Sequence, residues 1–486
     1  MASIRKRGAR RLSQSKRRQL RRRQQARAQR ARRQLRDIER QAPSALRLLL
    51  QSLADAFTRP TYHRFVLLLL AALLTTGNHT ILNVLRTAGL MAAGHPSSYH
   101  RVLSRSPWSA WRLARHLLDW VIQHFVPAGP IHLVGDDTVD EHRGKKVFGK
   151  GRHRDAVRSS HSYTAFRYGH KWVVLAVLVR FPGTSRPWAL PVLVVLYRNK
   201  EKSGKRRHKT PSQQMRQMLK VVMRWFPQRS FVFAGDGGYG THELSRTAAK
   251  RPRRLTLISR FYADANLYAP PPARTGRKAA GRPRVKGAKL PSPEMVVART
   301  KKRRKLNVAW YGGGRRDVAV VTGTGHWYKA GEGLVEVLWV FVHDRTGTHR
   351  DEYFFTTDVH LTAQQVIECF TGRWSIETTF QEMRAYLGLE TTRGRKKDTV
   401  LRLAPCLFGL YTVVSILFAQ MPARYRRVRV IDWIGKKDVT FSDAVTAVRR
   451  WLWQEWVFAM PGHHAAFSKL RRPFQAMLLY ALAPAA

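Results

Sequence analysis

Beyond residue 44, apolar positions recur at helical spacing. Leu46, Leu48, Leu49 and Leu53 mark one helical face. The run 65–74 predicts a second helix, and 80–90 a third after the break at Gly77-Asn78. Ser97 or Ser98 can cap a short helix, and Ser106-Pro107 opens another with proline in its first turn. These last two carry Arg101, Arg105, Arg112 and Arg115, so a helix-turn-helix-like DNA module and a plain packing unit are equally open readings.

The texture changes at Gly129-Pro130. Short apolar runs at 131–135, 173–179 and 190–197 predict strands; 212–226 is amphipathic at helical period. A strand at 231–235, a helix over about 242–250 and a strand at 255–259 complete an α/β order. Residues 261–352 read as a β-rich insertion with strands near 318–322 and 334–342. Another strand, EYFFTTD, precedes one long helix over 361–390; a second, apolar helix covers 398–420. The pattern divides the chain into an arm (1–42), a helical region (43–128), an α/β core in two parts (129–260 and 353–420) around the insertion, and a helical tail (421–486).

Charge adds a partner to this outline. The 486 residues hold 89 Lys or Arg against 30 Asp or Glu, a formal net charge of +59. Such a chain repels itself unless an anion is near, and nucleic acid is the leading candidate. Residues 1–40 concentrate 17 basic residues and two acids, and residues 274–305 hold 13 and one. No membrane span is expected. The run 65–74 is only ten residues, against about 20 for a span, and Pro405, Tyr411, Thr412, Ser415 and Gln420 interrupt the stretch 404–421. Only Cys369 and Cys406 are present, so no disulfide framework exists and a cytoplasmic setting fits. No CxxC pattern points to structural zinc, and His463-His464 lacks a companion ligand spacing. GDGGYG (235–240) lacks the Lys-Ser/Thr of a phosphate-binding loop, so no nucleotide cofactor is expected.

Acids are scarce, which makes their positions informative. Asp136 follows the strand 131–135 and Asp236 the strand 231–235, and strand ends in α/β folds are where sites collect. Taken singly, each is equally a turn aspartate. At about 100° per residue, Phe370, Arg373, Glu377 and Arg384 share one narrow helical stripe that excludes Glu368 and Glu382. Arg373 to Glu377 can also be an ordinary i,i+4 ion pair. Together, three carboxylates on two strands and a helix are what a two-metal phosphodiester site requires.

Phe370-x2-Arg373-x3-Glu377-x6-Arg384 resembles, with every spacing kept, the Tyr-x2-Arg-x3-Glu-x6-Lys signature of a group of bacterial insertion-sequence DDE transposases. The similarity spans about residues 95–420 and includes VGDDT (134–138), AGDGGYG (234–240) and FFTTD (354–358). It implies a ribonuclease H-like catalytic domain with a β-rich insertion. Asp136, Asp236 and Glu377 would be the catalytic, metal-binding triad, served by two Mg²⁺ ions with Mn²⁺ as a substitute. Thr138, two residues on, favours Asp136 over Asp137. Arg373 and Arg384 would contact DNA phosphates, and Phe370, which replaces the family's tyrosine, would contribute packing at that DNA-binding stripe. Trp310 and Trp327 are candidates for the aromatic that stacks on a flipped base. The implied activity is cleavage at terminal inverted repeats and joining of the freed 3′-OH to double-stranded target DNA, carried out by a homodimer. A nuclease of the same fold without strand transfer, and a non-catalytic nucleic-acid-binding protein, are the alternatives.

Overall fold

The computed structural model describes residues 35–155, 158–160, 162–202, 207–272, 284–426 and 438–484, with isolated positions in the N-terminal arm and at residue 435. Most of the basic arm, and residues 273–283 of the basic stretch in the insertion, lie outside the described residues.

Residues 35–40 are helical, and five α-helices follow: α1 (Ser44–Ser52), α2 (Arg59–Leu74), α3 (Ile81–Ala88), α4 (Pro96–Ser104) and α5 (Ala110–Phe125). Local chemistry fixes their starts. The Thr80 and Ser109 side chains accept from the N–H groups of Asn83 and Arg112, and Pro96 occupies the first turn of α4.

The core sheet begins with β1 (Ile131–Glu141), β2 (Gly151–Arg154), β3 (Phe166–Val179) and β4 (Trp188–Tyr197), followed by α6 (Pro211–Trp225), β5 (Phe231–Gly235), α7 (His242–Ala249) and β6 (Leu255–Arg260). β1 runs antiparallel to β3 and parallel to β5, which is parallel to β6; β4 lies antiparallel on β3. This is the mixed α/β core that the resemblance implies. The middle of β3, from Trp172 to Val177, is wholly buried, so it reads as a continuous apolar run rather than an alternation.

Two expectations change, and the sheet takes in the insertion. β1 extends six residues past the predicted strand, because β3 keeps supplying backbone partners as far as Glu141 opposite Gly169. Asp136 therefore lies mid-strand, at the point where β5 stops pairing. The strands of the insertion join the core sheet. After β7 (Leu267–Tyr268), α8 (Pro293–Arg299) and β8 (Arg304–Ala309), the strands β9 (Arg315–Lys329), β10 (Gly333–Asp344) and β11 (Glu352–Thr356) continue the core sheet through β6, making eleven strands among the described residues. The expected helix over 361–390 is two, α9 (Ala363–Gly372) and α10 (Ser375–Tyr386), broken at Arg373-Trp374.

α11 (Lys397–Gln420) is long and apolar enough to cross a membrane, yet it packs on β4 and on α13 (Phe441–Leu452), and 67% of its most apolar window is buried within the protein. Between them lies the short α12 (Ala423–Arg426); α14 (Pro461–Ser468) and α15 (Arg472–Leu482) follow. Arg449 of α13 is 5% exposed and donates to the carbonyls of Leu73, Thr75 and Tyr386, tying α13 to the ends of α2 and α10. A second apolar cluster lies under α9 and includes Ile258, Val340, Phe354 and Phe370.

Candidate active site

The parallel pairing of β1 and β5 sets Gly135 beside Gly235, and the next residues are Asp136 and Asp236. Side chains are excluded at both glycines. A Cβ on Gly135 would lie 2.4 Å from Met215 Cε, and one on Gly235 would lie 2.7 Å from Tyr239 Cβ. Close packing beneath the two aspartates thus fixes the sheet surface from which they project.

Asp136 Oδ1 accepts from the Asp137 N–H at 2.7 Å, and its Oδ2 takes Arg373 Nη1 at 3.1 Å. The second arm of the same guanidinium, Nη2, reaches Glu377 Oε1 at 3.0 Å. One arginine therefore bridges the first strand and the glutamate helix. Asp236 turns back on its own loop, accepting from the Gly238 N–H at 3.0 Å, while its carbonyl accepts from Ser259 Oγ at 2.7 Å. It is near enough to act on both Asp136 and Arg373.

The electrostatics follow from this crowding. Burial pushes the Asp136 carboxyl up to about 7; Arg373 opposes the shift, and Asp236 and Asp137 add to it. Burial works against the charge on Arg373, but Asp136, Glu377 and Asp236 outweigh it and hold the guanidinium more firmly protonated. Asp137, on the opposite face of β1 by the two-residue period, pairs with Lys171 Nζ at 2.8 Å. Glu382 points away, bonded to Arg186 and the Tyr411 hydroxyl.

Arg384 lies two helical turns beyond Glu377 and holds α10 against β1. Its Nη2 reaches Thr138 Oγ1 at 2.5 Å and the Val139 carbonyl at 3.2 Å, while Nε pairs with Glu390 at 2.8 Å. Both arginines expected at DNA phosphates are thus occupied by protein groups here. Phe370 is fully buried, with its ring 4.3 Å from that of Phe354 and 5.4 Å from the Arg373 guanidinium, so it packs beneath the stripe and presents no surface to DNA. Trp327 is likewise a packing residue, against Phe261, Phe355 and His242.

An open cleft of about 430 Å³ adjoins Glu377, lined by Arg260, Trp310, Tyr311, Arg316, His349, Arg373 and Trp374. Arg260, Tyr311, Arg316 and His349 were not expected there. For Arg260 a signal existed: it ends β6, the third parallel strand, just as Asp236 follows the second. Arg316 and His349 come from strands of the insertion and the loop after β10, and only the continued sheet brings them near.

Residues 52–317 match the family described as DDE superfamily endonuclease, a stretch that contains Asp136 and Asp236. Residues 304–404, which contain Glu377, match the family described as “Archaeal putative transposase ISC1217”. Among solved structures, a cryo-EM structure of a piggyBac transposase synaptic complex with hairpin DNA is similar at 10% identity, covering 88% of this chain and 77% of that one with a TM-score of 0.39. No curated protein matches the sequence. Since the first of these matches takes in more than half of its residues, the chain belongs to the DDE superfamily endonuclease family, in keeping with its resemblance to DDE transposases.

Proposed function

We propose that Asp136, Asp236 and Glu377 are the catalytic carboxylates of a DNA transposase that cleaves at the ends of its element and joins the freed 3′-OH to target DNA. The observation that carries this reading is convergence: one guanidinium spans Asp136 and Glu377, and Asp236 acts on both Asp136 and that guanidinium. The donor set fits hard divalent cations such as Mg²⁺ or Mn²⁺, which prefer carboxylate oxygen. Burial is the main reason the Asp136 carboxyl is raised, and a bound cation would favour its charged form. When bound, two ions would stabilise the attacking and leaving oxygens of the phosphodiester.

The chain's own groups do the rest. Arg373, which bridges Asp136 and Glu377, also lines the cleft, where its guanidinium would meet a phosphate. Arg260 and Arg316 extend that positive wall, while Trp310, only 7% exposed, packs in the apolar cluster under α9. Double-stranded DNA bearing terminal inverted repeats is the proposed substrate, and the charge of +59 supports phosphate contact. A homodimer bridging two ends is part of this reading; Leu470, Phe474 and Met477, exposed at helical spacing around α15, support an interface in the tail.

Asp136→Asn and Asp236→Asn are each expected to abolish metal-dependent cleavage, a loss on the order of a thousandfold or more. DNA affinity should stay within about twofold, since affinity comes from Lys and Arg. Continued nicking of supercoiled DNA by the double variant would end the assignment. The family description names an endonuclease, so cleavage without transfer is the second reading. Joining of a labelled 3′ end to a plasmid separates the two.

A further inference from the structure

We propose that Asp140, His142 and His170 form a second cation site, separate from the three carboxylates and suited to a zinc-class divalent ion. Asp140 on β1 and His170 on β3 are direct partners in the antiparallel register, and His142 stands two residues further along on the same side as Asp140. One potential ligand atom from each residue lies within 4.8 Å of the others. The two rings meet edge to face with centroids 4.5 Å apart.

What points to a ligand is Asp140. Its side chain is 1% exposed, and neither carboxylate oxygen has a hydrogen-bond partner. The nearest cation-forming group is His142 Nε2, at 3.4 Å. Buried carboxylates are normally paired and hydrogen-bonded, so this one faces a gap that a cation would fill. The gap exists: a cavity of about 10 Å³, room for about one water or ion, is lined by the three residues with Trp172, Thr392 and Gly394. His170 is also oriented as metal-bound imidazoles are. Its Nε2 is 2.8 Å from the Phe148 carbonyl and donates to it, which leaves the Nδ1 lone pair for a ligand.

Two imidazoles and one carboxylate favour zinc-class ions over Mg²⁺, which prefers all-oxygen sites. Lys150 is close enough to His170 to weigh against positive charge there, so the site needs the affinity of nitrogen ligands to fill. The cavity is small, and the apolar Val400, Leu403 and Ala404 complete its lining, which suits a structural ion. Such an ion would pin the far end of β1 to β3, beneath the segment that follows α10.

The test uses the untagged full chain, stripped with chelator and then offered Zn²⁺ or Co²⁺ in excess Mg²⁺. About one tightly held Zn²⁺ per chain is expected, together with Co²⁺ absorption bands showing nitrogen ligation. Asp140→Asn and His142→Gln should each lose the ion while circular dichroism shows a folded protein. The Asp136→Asn/Asp236→Asn variant should keep it. A parent protein that holds no Zn²⁺ or Co²⁺ under these conditions overturns the proposal, whatever the variants do. So does retention unchanged in folded Asp140→Asn and His142→Gln, and in that case Asp140 and His142 are simply a buried contact pair.

Discussion

Asp136 and Asp140 are the same residue type on the same face of the same strand, four residues apart, yet their surroundings are opposite. Asp136 shares a guanidinium with Glu377 and has Asp236 beside it on the next strand. Asp140 is more deeply buried, is bonded to no guanidinium or ammonium, and faces two imidazoles. The strand sets the direction of each carboxylate. The neighbours decide what it can hold: carboxylates with a movable guanidinium suit hard cations and phosphate, and imidazoles suit softer ions.

The strongest test of this contrast removes the guanidinium. Arg373→Met leaves Asp136 and Glu377 facing each other without their shared cation. Breaking a buried pair from one side should lower stability by about 3 kcal/mol. Denaturant unfolding should show the loss, Mg²⁺ should restore part of it, and Zn²⁺ retention at Asp140 should not change. Equal disturbance of both ends would mean that the two sites are one coupled unit.

Next in size is the effect of pH. Folding raises the Asp136 carboxyl to about 7, so protonation of this group favours the metal-free fold. Its contribution is fully present below about pH 4, the unfolded value, and is lost as pH rises through about 7. Metal binding runs the other way, because a proton must leave first. Apparent Mg²⁺ affinity, read from thermal shifts, should rise up to about tenfold per pH unit below about pH 7 and level off above it. A flat profile would remove Asp136 from the ligand set.

The smallest expected effect is a control on the same helix as Glu377. Glu382→Gln loses the ion pair with Arg186 but keeps a hydrogen-bond acceptor for Tyr411. Cleavage should stay within about twofold of the parent. A loss comparable to that of Glu377→Gln would show that position along α10, and not the face, decides an acid's role.

Much of this arrangement was legible in the sequence. The buried strands β3, β5 and β6 announce themselves as short apolar runs, because a strand covered on both faces has no polar side to show. The stripe correctly separates Glu377 from Glu382, since seven residues inside α10 keep Glu377 and Arg384 on the face toward β1. It also keeps Phe370 beneath Arg373, because Arg373 and Trp374 between α9 and α10 retain right-handed helical backbone angles. The extension of β1, the merging of the insertion into one sheet and the pairing of Asp140 with His170 depend on which strands become neighbours. That information lies in long-range contacts, and no local period carries it.

The reach of Arg449 sets a timetable for the newborn chain. The carbonyl of Thr75 waits for a guanidinium encoded 374 residues later. At roughly 5–20 residues per second of synthesis, that is a delay of ~20–75 s. Throughout it, the end of α2 stands without one of its final partners, and only near completion do the first helices, the glutamate helix and the tail lock together. A protein built this way reaches its working shape late in translation, so a ribosome that stalls before α13 leaves behind a fragment in which the end of α2 and the end of α10 lack their common tie, although Arg373 and Arg384 already hold the glutamate helix to β1.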